Sequence, residues 1–171
     1  MTNRASACYI NTIEKSICSD ICDRRRDYYE KCQENSCINS FGCPCSIGCS
    51  GPLTGDAAQY GVAVKNAIEL AVKDVNDAGG INGTKLSYVF EDDEADSGDK
   101  AVNAYNTLKD QGMQIFLGTV TTGSCLAVVD KSKQDNIFQF TPSASAQDVI
   151  ANDNCFQICF TDPNQGKASA D

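Results

Sequence analysis

Histidine and tryptophan are absent from this 171-residue sequence, which holds four prolines and two methionines. Without histidine there is no Ser–His or Cys–His nucleophile pair and no histidine-ligated metal. No stretch approaches the roughly 18 consecutive apolar residues that a membrane-spanning helix requires, so direct membrane insertion is not expected. Arginine stops early: Arg4, Arg24, Arg25 and Arg26 are its whole complement. The 14 basic residues face 23 acidic ones, for a formal charge of −9. Nucleic acid is therefore not an expected partner, because neutralising phosphates takes concentrated positive charge. An acidic surface serves solubility.

Other catalytic signatures fail on inspection. Gly166-Lys167 lacks the following Ser/Thr and the upstream glycine of a phosphate-cradling loop. No G-x-G-x-x-G follows the first strand. The acidic run from Asp92 to Asp99 looks like a calcium loop, but its sixth position is Ser97 rather than Gly and its twelfth is Asn103 rather than Glu. It reads better as a solvated strand-to-helix loop. Nothing singles out a pair of carboxylates for acid–base work. No enzyme activity, catalytic residue, cofactor or metal is expected.

What is present divides near residue 46. Residues 1–45 hold every arginine and seven of the eleven cysteines: Cys8, Cys18, Cys22, Cys32, Cys37, Cys43 and Cys45. Residues 46–171 carry the remaining 8 basic side chains (14 − 6) against 17 acidic ones (23 − 6), which is the whole −9. The leader offers two readings. Cys8-x9-Cys18 and Cys22-x9-Cys32 have the spacing of a disulfide-linked helical hairpin. Alternatively it is an out-of-frame or misjoined translation, disordered and without a designed cysteine framework, which the abrupt shift in Arg and Cys usage favours. Its thiol spacings match no common zinc pattern.

After residue 46, short apolar runs alternate with helical patterns. Strands are expected at 46–50, 86–91, 114–118, 137–140 and 155–160, with helices at about 57–78, 97–111 and 123–134 between them. A last helix opens at Asp162-Pro163. In the first helix Ala67, Ile68, Ala71, Val72 and Val75 share one face, and Lys65, Glu69 and Lys73 another. Ser97 is an expected cap for the second. Such alternation indicates an α/β fold with a doubly wound parallel sheet. In these sheets ligands bind beyond the carboxyl ends of the strands, at the point where strand order reverses. Loops 51–60, 119–124 and 141–146 would meet there. They are rich in glycine and hydroxyls, and two lead into helices whose amino ends favour a small anion without Arg or Lys. Taken singly, each Ser or Thr is equally an ordinary cap or turn former.

Five ordered motifs carry a resemblance over about residues 46–171. They are Gly51-Pro52-Leu53-Thr54-Gly55 through Gly61, Asp77-Ala78-Gly79-Gly80-Ile81-Asn82-Gly83 with Asp92-Asp93, Gly118-Thr119-Val120-Thr121-Thr122-Gly123-Ser124, Thr141-Pro142-Ser143-Ala144-Ser145, and Asp162-Pro163-Asn164-Gln165-Gly166. The sequence resembles the leucine/isoleucine/valine-binding proteins, the type I periplasmic receptors of ABC importers. The resemblance implies a two-lobed receptor closing on an amino acid by hinge motion. Its partners would be that ligand and a membrane permease, and its place the periplasm or, lipid-anchored, the cell exterior. It further implies that Thr121, Thr122 and Gly123 receive the ligand, that Ser143, Ala144 and Ser145 bind its amino and carboxylate groups, and that Tyr60 lines the side-chain pocket. Tyr60 could equally pack on the sheet. Residues 46–171 would then be a first lobe, truncated before the second, and residues 1–45 lack the apolar segment and cleavage site of an export signal. Other ligand-sensing uses of the same fold, such as an amide or urea receptor, share these loops. A structural or redox role for the leader is a third reading. Cys49, Cys125, Cys155 and Cys159 are expected as buried free thiols, although a Cys125 bridge to another of them stays open.

Overall fold

The computed structural model describes residues 44–96 and 98–170. Five strands form one parallel sheet: β1 (Cys45–Gly51), β2 (Leu86–Asp92), β3 (Ile115–Leu117), β4 (Phe138–Thr141) and β5 (Cys155–Gln157). Helices α1 (Ala58–Asp77), α2 (Asp99–Asp110) and α3 (Thr122–Gln134) connect them, a 3-10 turn spans Gln147–Ile150, and α4 (Asp162–Ala170) closes the chain. The strand order is β2-β1-β3-β4-β5. Cys45 faces Leu86, Ile47 faces Ile115, Ile115 faces Phe138 and Gln139 faces Cys155 across the ladders.

Right-handed crossovers turn this order into two covered faces. The connection from β1 to β2 runs one way along the sheet, and those from β2 to β3 and from β3 to β4 run the other way. Helix α1 therefore lies on one face, with α2 and α3 on the opposite one. Under α2 and α3, Ala101, Tyr105, Leu108, Met113, Phe116, Val128 and Ile137 form the main core. The Tyr105 and Phe116 rings meet edge to face at 5.2 Å. Under α1, Ile47, Cys49 and Val72 are buried, with Ile68, Leu86 and Phe90 beside them.

The expected strands and helices are present, with differences in detail. The buried face of α1 runs through Gly61 and Val72, with Val64, Ile68 and Val75 half-buried, while Ala67 and Ala71 on its flank are exposed. Strand β5 stops at Gln157 instead of Phe160 because its partner β4 ends at Thr141 and leaves nothing further to pair with. Ile158 and Phe160 consequently stand 65% and 61% exposed. The strand boundary also moves: Cys45, assigned by sequence to the leader, is the first residue of β1. The rest of the leader expectation, residues 1–43, and the Ser97 cap lie outside the described residues.

Among the described residues, α1 covers its face of the sheet over β1 and β2. Phe138 and Phe156, on β4 and β5, stack at 5.3 Å with about half of each side chain in solvent. Helix α4 buries none of its residues and is tied to the sheet edge by its first one, where the Asp162 N–H donates to the Ser145 carbonyl at 3.0 Å. No described helix is long and apolar enough to cross a membrane.

Candidate functional site

The order reverses between β1 and β3, so the loops after these strands diverge and leave a crevice at their carboxyl ends. The first loop is held from below. Gly61 is buried against it: a Cβ there would lie 1.8 Å from the Pro52 carbonyl oxygen, so only glycine lets α1 approach. Asp92, at the end of β2, accepts the Leu53 N–H at 2.8 Å and the Thr54 hydroxyl at 2.7 Å. Burial alone would raise the Asp92 carboxyl, but these donors and the Glu94 N–H outweigh it and hold it below the ordinary carboxylate value.

The neighbouring Asp93 corrects the solvated-loop expectation. Its side chain is fully buried, with the Ser50 hydroxyl 3.0 Å from one oxygen and the Ala95 N–H 3.0 Å from the other. Burial pushes its carboxyl up, against the pull of these two donors. The acidic run is thus two anchors followed by a surface turn: Asp92 fixes the first loop, and Asp93 fixes the end of β1. Among the described residues no group of His, Cys, Asp or Glu is arranged to hold a metal ion.

The second and third loops are laced to each other. The Thr141 hydroxyl donates to the Thr119 carbonyl at 2.6 Å, and the Ser143 hydroxyl donates to the Val120 carbonyl at 2.5 Å. The Ser145 N–H reaches the Thr122 hydroxyl oxygen at 3.2 Å. Beneath them, the Gln139 amide is fully buried in β4, donating to the Gly118 carbonyl at 3.0 Å and accepting the Ser132 hydroxyl at 2.6 Å. Thr121 is the extended residue before α3, and its hydroxyl points to Ser124 at 3.0 Å rather than to the helix N–H groups. The Thr121 side chain makes no cap hydrogen bond, so among the described residues the positive end of α3 is open to another acceptor.

The structure thus joins Thr121, Thr122 and Gly123 to Ser143, Ala144 and Ser145. Thr122, Gly123 and Ser145 are half-buried and Ser143 is exposed. Ala144 is buried, its N–H donated to the Thr141 hydroxyl at 3.3 Å and its carbonyl accepting the Cys159 thiol at 3.3 Å. Tyr60 sits in the first turn of α1 with 60% of its surface exposed, so it is not part of the packed face. No hydrogen bond or ring contact joins its side chain to the other six among the described residues. The supports beneath the site, Gln139, Asp92 and Asp93, were missed by reading the sequence. The adjacent pair Asp92-Asp93 at a strand end was the one available signal.

Crevice, helix end and interlocked hydroxyl loops lie together at the carboxyl edge of one doubly wound sheet. The periplasmic binding protein family profile matches residues 44–171, and the chain belongs to that family. It is 37% identical over 128 residues to Leu/Ile/Val-binding protein homolog 3 of Brucella melitensis, covering 74% of this chain and 34% of that one. It is 34% identical over 127 residues to the Leu/Ile/Val-binding protein BraC3 of Rhizobium johnstonii, covering 73% and 34%. Among solved structures, the isoleucine-bound branched-chain amino acid transporter substrate-binding protein of Streptococcus pneumoniae superposes with a TM-score of 0.66 at 26% identity, over 70% of this chain and 35% of that one. The chain spans about a third of the length of the relatives it matches.

Proposed function

We propose that residues 46–171 are the first lobe of the solute-binding receptor of an ABC importer. This receptor takes up a branched-chain or related amino acid and delivers it to a membrane permease. The observation that carries the reading is the Thr122–Ser145 hydrogen bond, which places two hydroxyl-rich loops and the uncapped end of α3 around one point. A carboxylate there meets N–H groups and hydroxyls that need no charge to hold it. Similarity to Leu/Ile/Val-binding proteins supports the amino-acid class. Thr121, Thr122, Gly123, Ser143, Ala144 and Ser145 hold the polar end of the ligand, Ala144 by shaping the loop, and Tyr60 stands at the rim. None of the seven carries a carboxylate, so the ligand's ammonium is paired by a group outside them. The protein binds rather than catalyses, and works in the periplasm or lipid-anchored at the cell exterior.

One lobe encloses a ligand on one side, whereas tight small-molecule sites bury most of the ligand surface. The chain alone is therefore expected to bind leucine, isoleucine or valine only at millimolar concentration. Amide resonances of residues 121–123 and 143–145 should shift in an NMR titration, and Thr122→Ala should weaken the response about tenfold, the loss of one charge-assisted hydrogen bond. Shifts elsewhere, or equal shifts with urea or acetamide, would defeat the amino-acid assignment.

A further inference from the structure

Beneath the third loop lies a buried cluster that the binding reading does not use. Cys125, Val129, Ala144, Val149 and Cys155 pack together there. Cys125 is in the first turn of α3 and Cys155 is the first residue of β5. Both are free thiols, one without solvent contact and the other 3% exposed. They belong to one packed cluster, one from the helix and the other from the strand. Gln139 fixes the first of them, its amide lying 3.3 Å from the Cys125 sulfur. Ala144 brings the third loop into the same cluster.

We propose that Cys125 and Cys155 are a disulfide pair, joined while the chain folds in an oxidising compartment, and that the bond braces the third loop. Two buried thiols in one cluster, carried by separate elements, need little backbone movement to be bridged. The bond would close a chain segment containing β4, the 141–146 loop and the 3-10 turn, so the hydroxyls of Ser143 and Ser145 would be held from both sides. The proposal rests on the extracytoplasmic location inferred above, since such bonds persist in oxidising compartments.

The chemistry is an exchange with an external disulfide. One cysteine thiolate attacks a sulfur of the donor disulfide, forming a mixed disulfide and expelling one donor thiolate. The second cysteine, deprotonated, attacks the protein sulfur of that mixed disulfide. The Cys125–Cys155 bond forms and the second donor thiolate leaves. Two protons and two electrons pass from the cysteines, and the donor is reduced to two thiols. Burial of both sulfurs places the reaction before the cluster closes.

The test is to refold the reduced 171-residue chain over glutathione and glutathione disulfide, alkylate free thiols and map the tryptic peptides. Cleavage at Lys109, Lys131, Lys133 and Lys167 puts Cys125 in peptide 110–131 and Cys155 with Cys159 in peptide 134–167. These two peptides are expected to be linked in the wild type and in Cys159→Ser. Both peptides alkylated, a link from 110–131 to a cysteine of residues 1–45, or a link lost in Cys159→Ser would overturn the pairing. Reduction should lower the melting temperature of the wild type by roughly 10 °C more than that of Cys125→Ala, as expected for a closed loop of about 30 residues. Equal drops would overturn the bracing role. The oxidant is supplied in the tube, so failure here leaves the receptor reading to its own titration.

Discussion

Gln139 shows how a single side chain can hold a site it does not enter. It is flanked by Phe138 and Phe140, and a period-two reading of Phe-Gln-Phe would turn the rings inward and the amide out. The opposite holds: Gln139 is fully buried and Phe138 is 44% exposed. The amide bonds to Gly118 and Ser132, so one residue ties the end of β3 to the last turn of α3. Truncation would leave these partners unpaired in a cavity. Gln139→Ala is expected to cost about 2–4 kcal/mol in denaturant unfolding. Asp93 is the second such residue. Its carboxyl is raised above the ordinary 3.8 by burial, so the folded state holds its proton more tightly than the unfolded one. Its contribution is full below that value and is lost as pH rises through the raised one. Asp93→Asn keeps the shape and removes the titration. Its denaturation midpoint should gain on that of the wild type between pH 4 and pH 7, and an unchanging difference would contradict the assignment.

Among the elements, α1 shows both what periodicity gives and where it stops. Ile68, Val72 and Val75 face the sheet as their spacing requires, but Ala67 and Ala71 do not, because the helix spans only β1 and β2. The end nearest the site is set by Gly61, whose lack of a side chain lets the helix rest on Pro52. Gly61→Ala pushes backbone against backbone, which no rotamer can relieve. It is expected to cost about 1–3 kcal/mol by thermal or chemical unfolding. Faster amide exchange should follow in the first turn of α1, where Tyr60 lies. Strand β5 teaches the complementary point. Its apolar run continues to Phe160, but strand length is fixed by the partner, and β4 offers only Gln139, Phe140 and Thr141.

Across the whole described molecule, two sheet faces are unequally covered, and this sorts residues of one type into different roles. Phe116 is fully buried beneath α2 and α3, whereas Phe138 and Phe156 stack on the open part of the α1 face. Phe116→Ala is expected to cost about 3–5 kcal/mol and Phe138→Ala under about 1 kcal/mol, compared by chemical denaturation. Similar costs would mean that the α1 face is covered in solution.

The sequence by itself determined the strand–helix alternation, the parallel doubly wound class and the hydroxyl-rich loops at one sheet edge. Those features rest on local periodicity and turn residues, which neighbours in the chain fix. The tertiary structure decided which phenylalanine is core, that Gln139 and Asp93 are buried supports, where β5 ends, and that Cys125 and Cys155 meet. Each of these depends on groups distant in sequence brought together by strand order. The burial of a polar side chain becomes favourable only when its distant partners are in place to satisfy it.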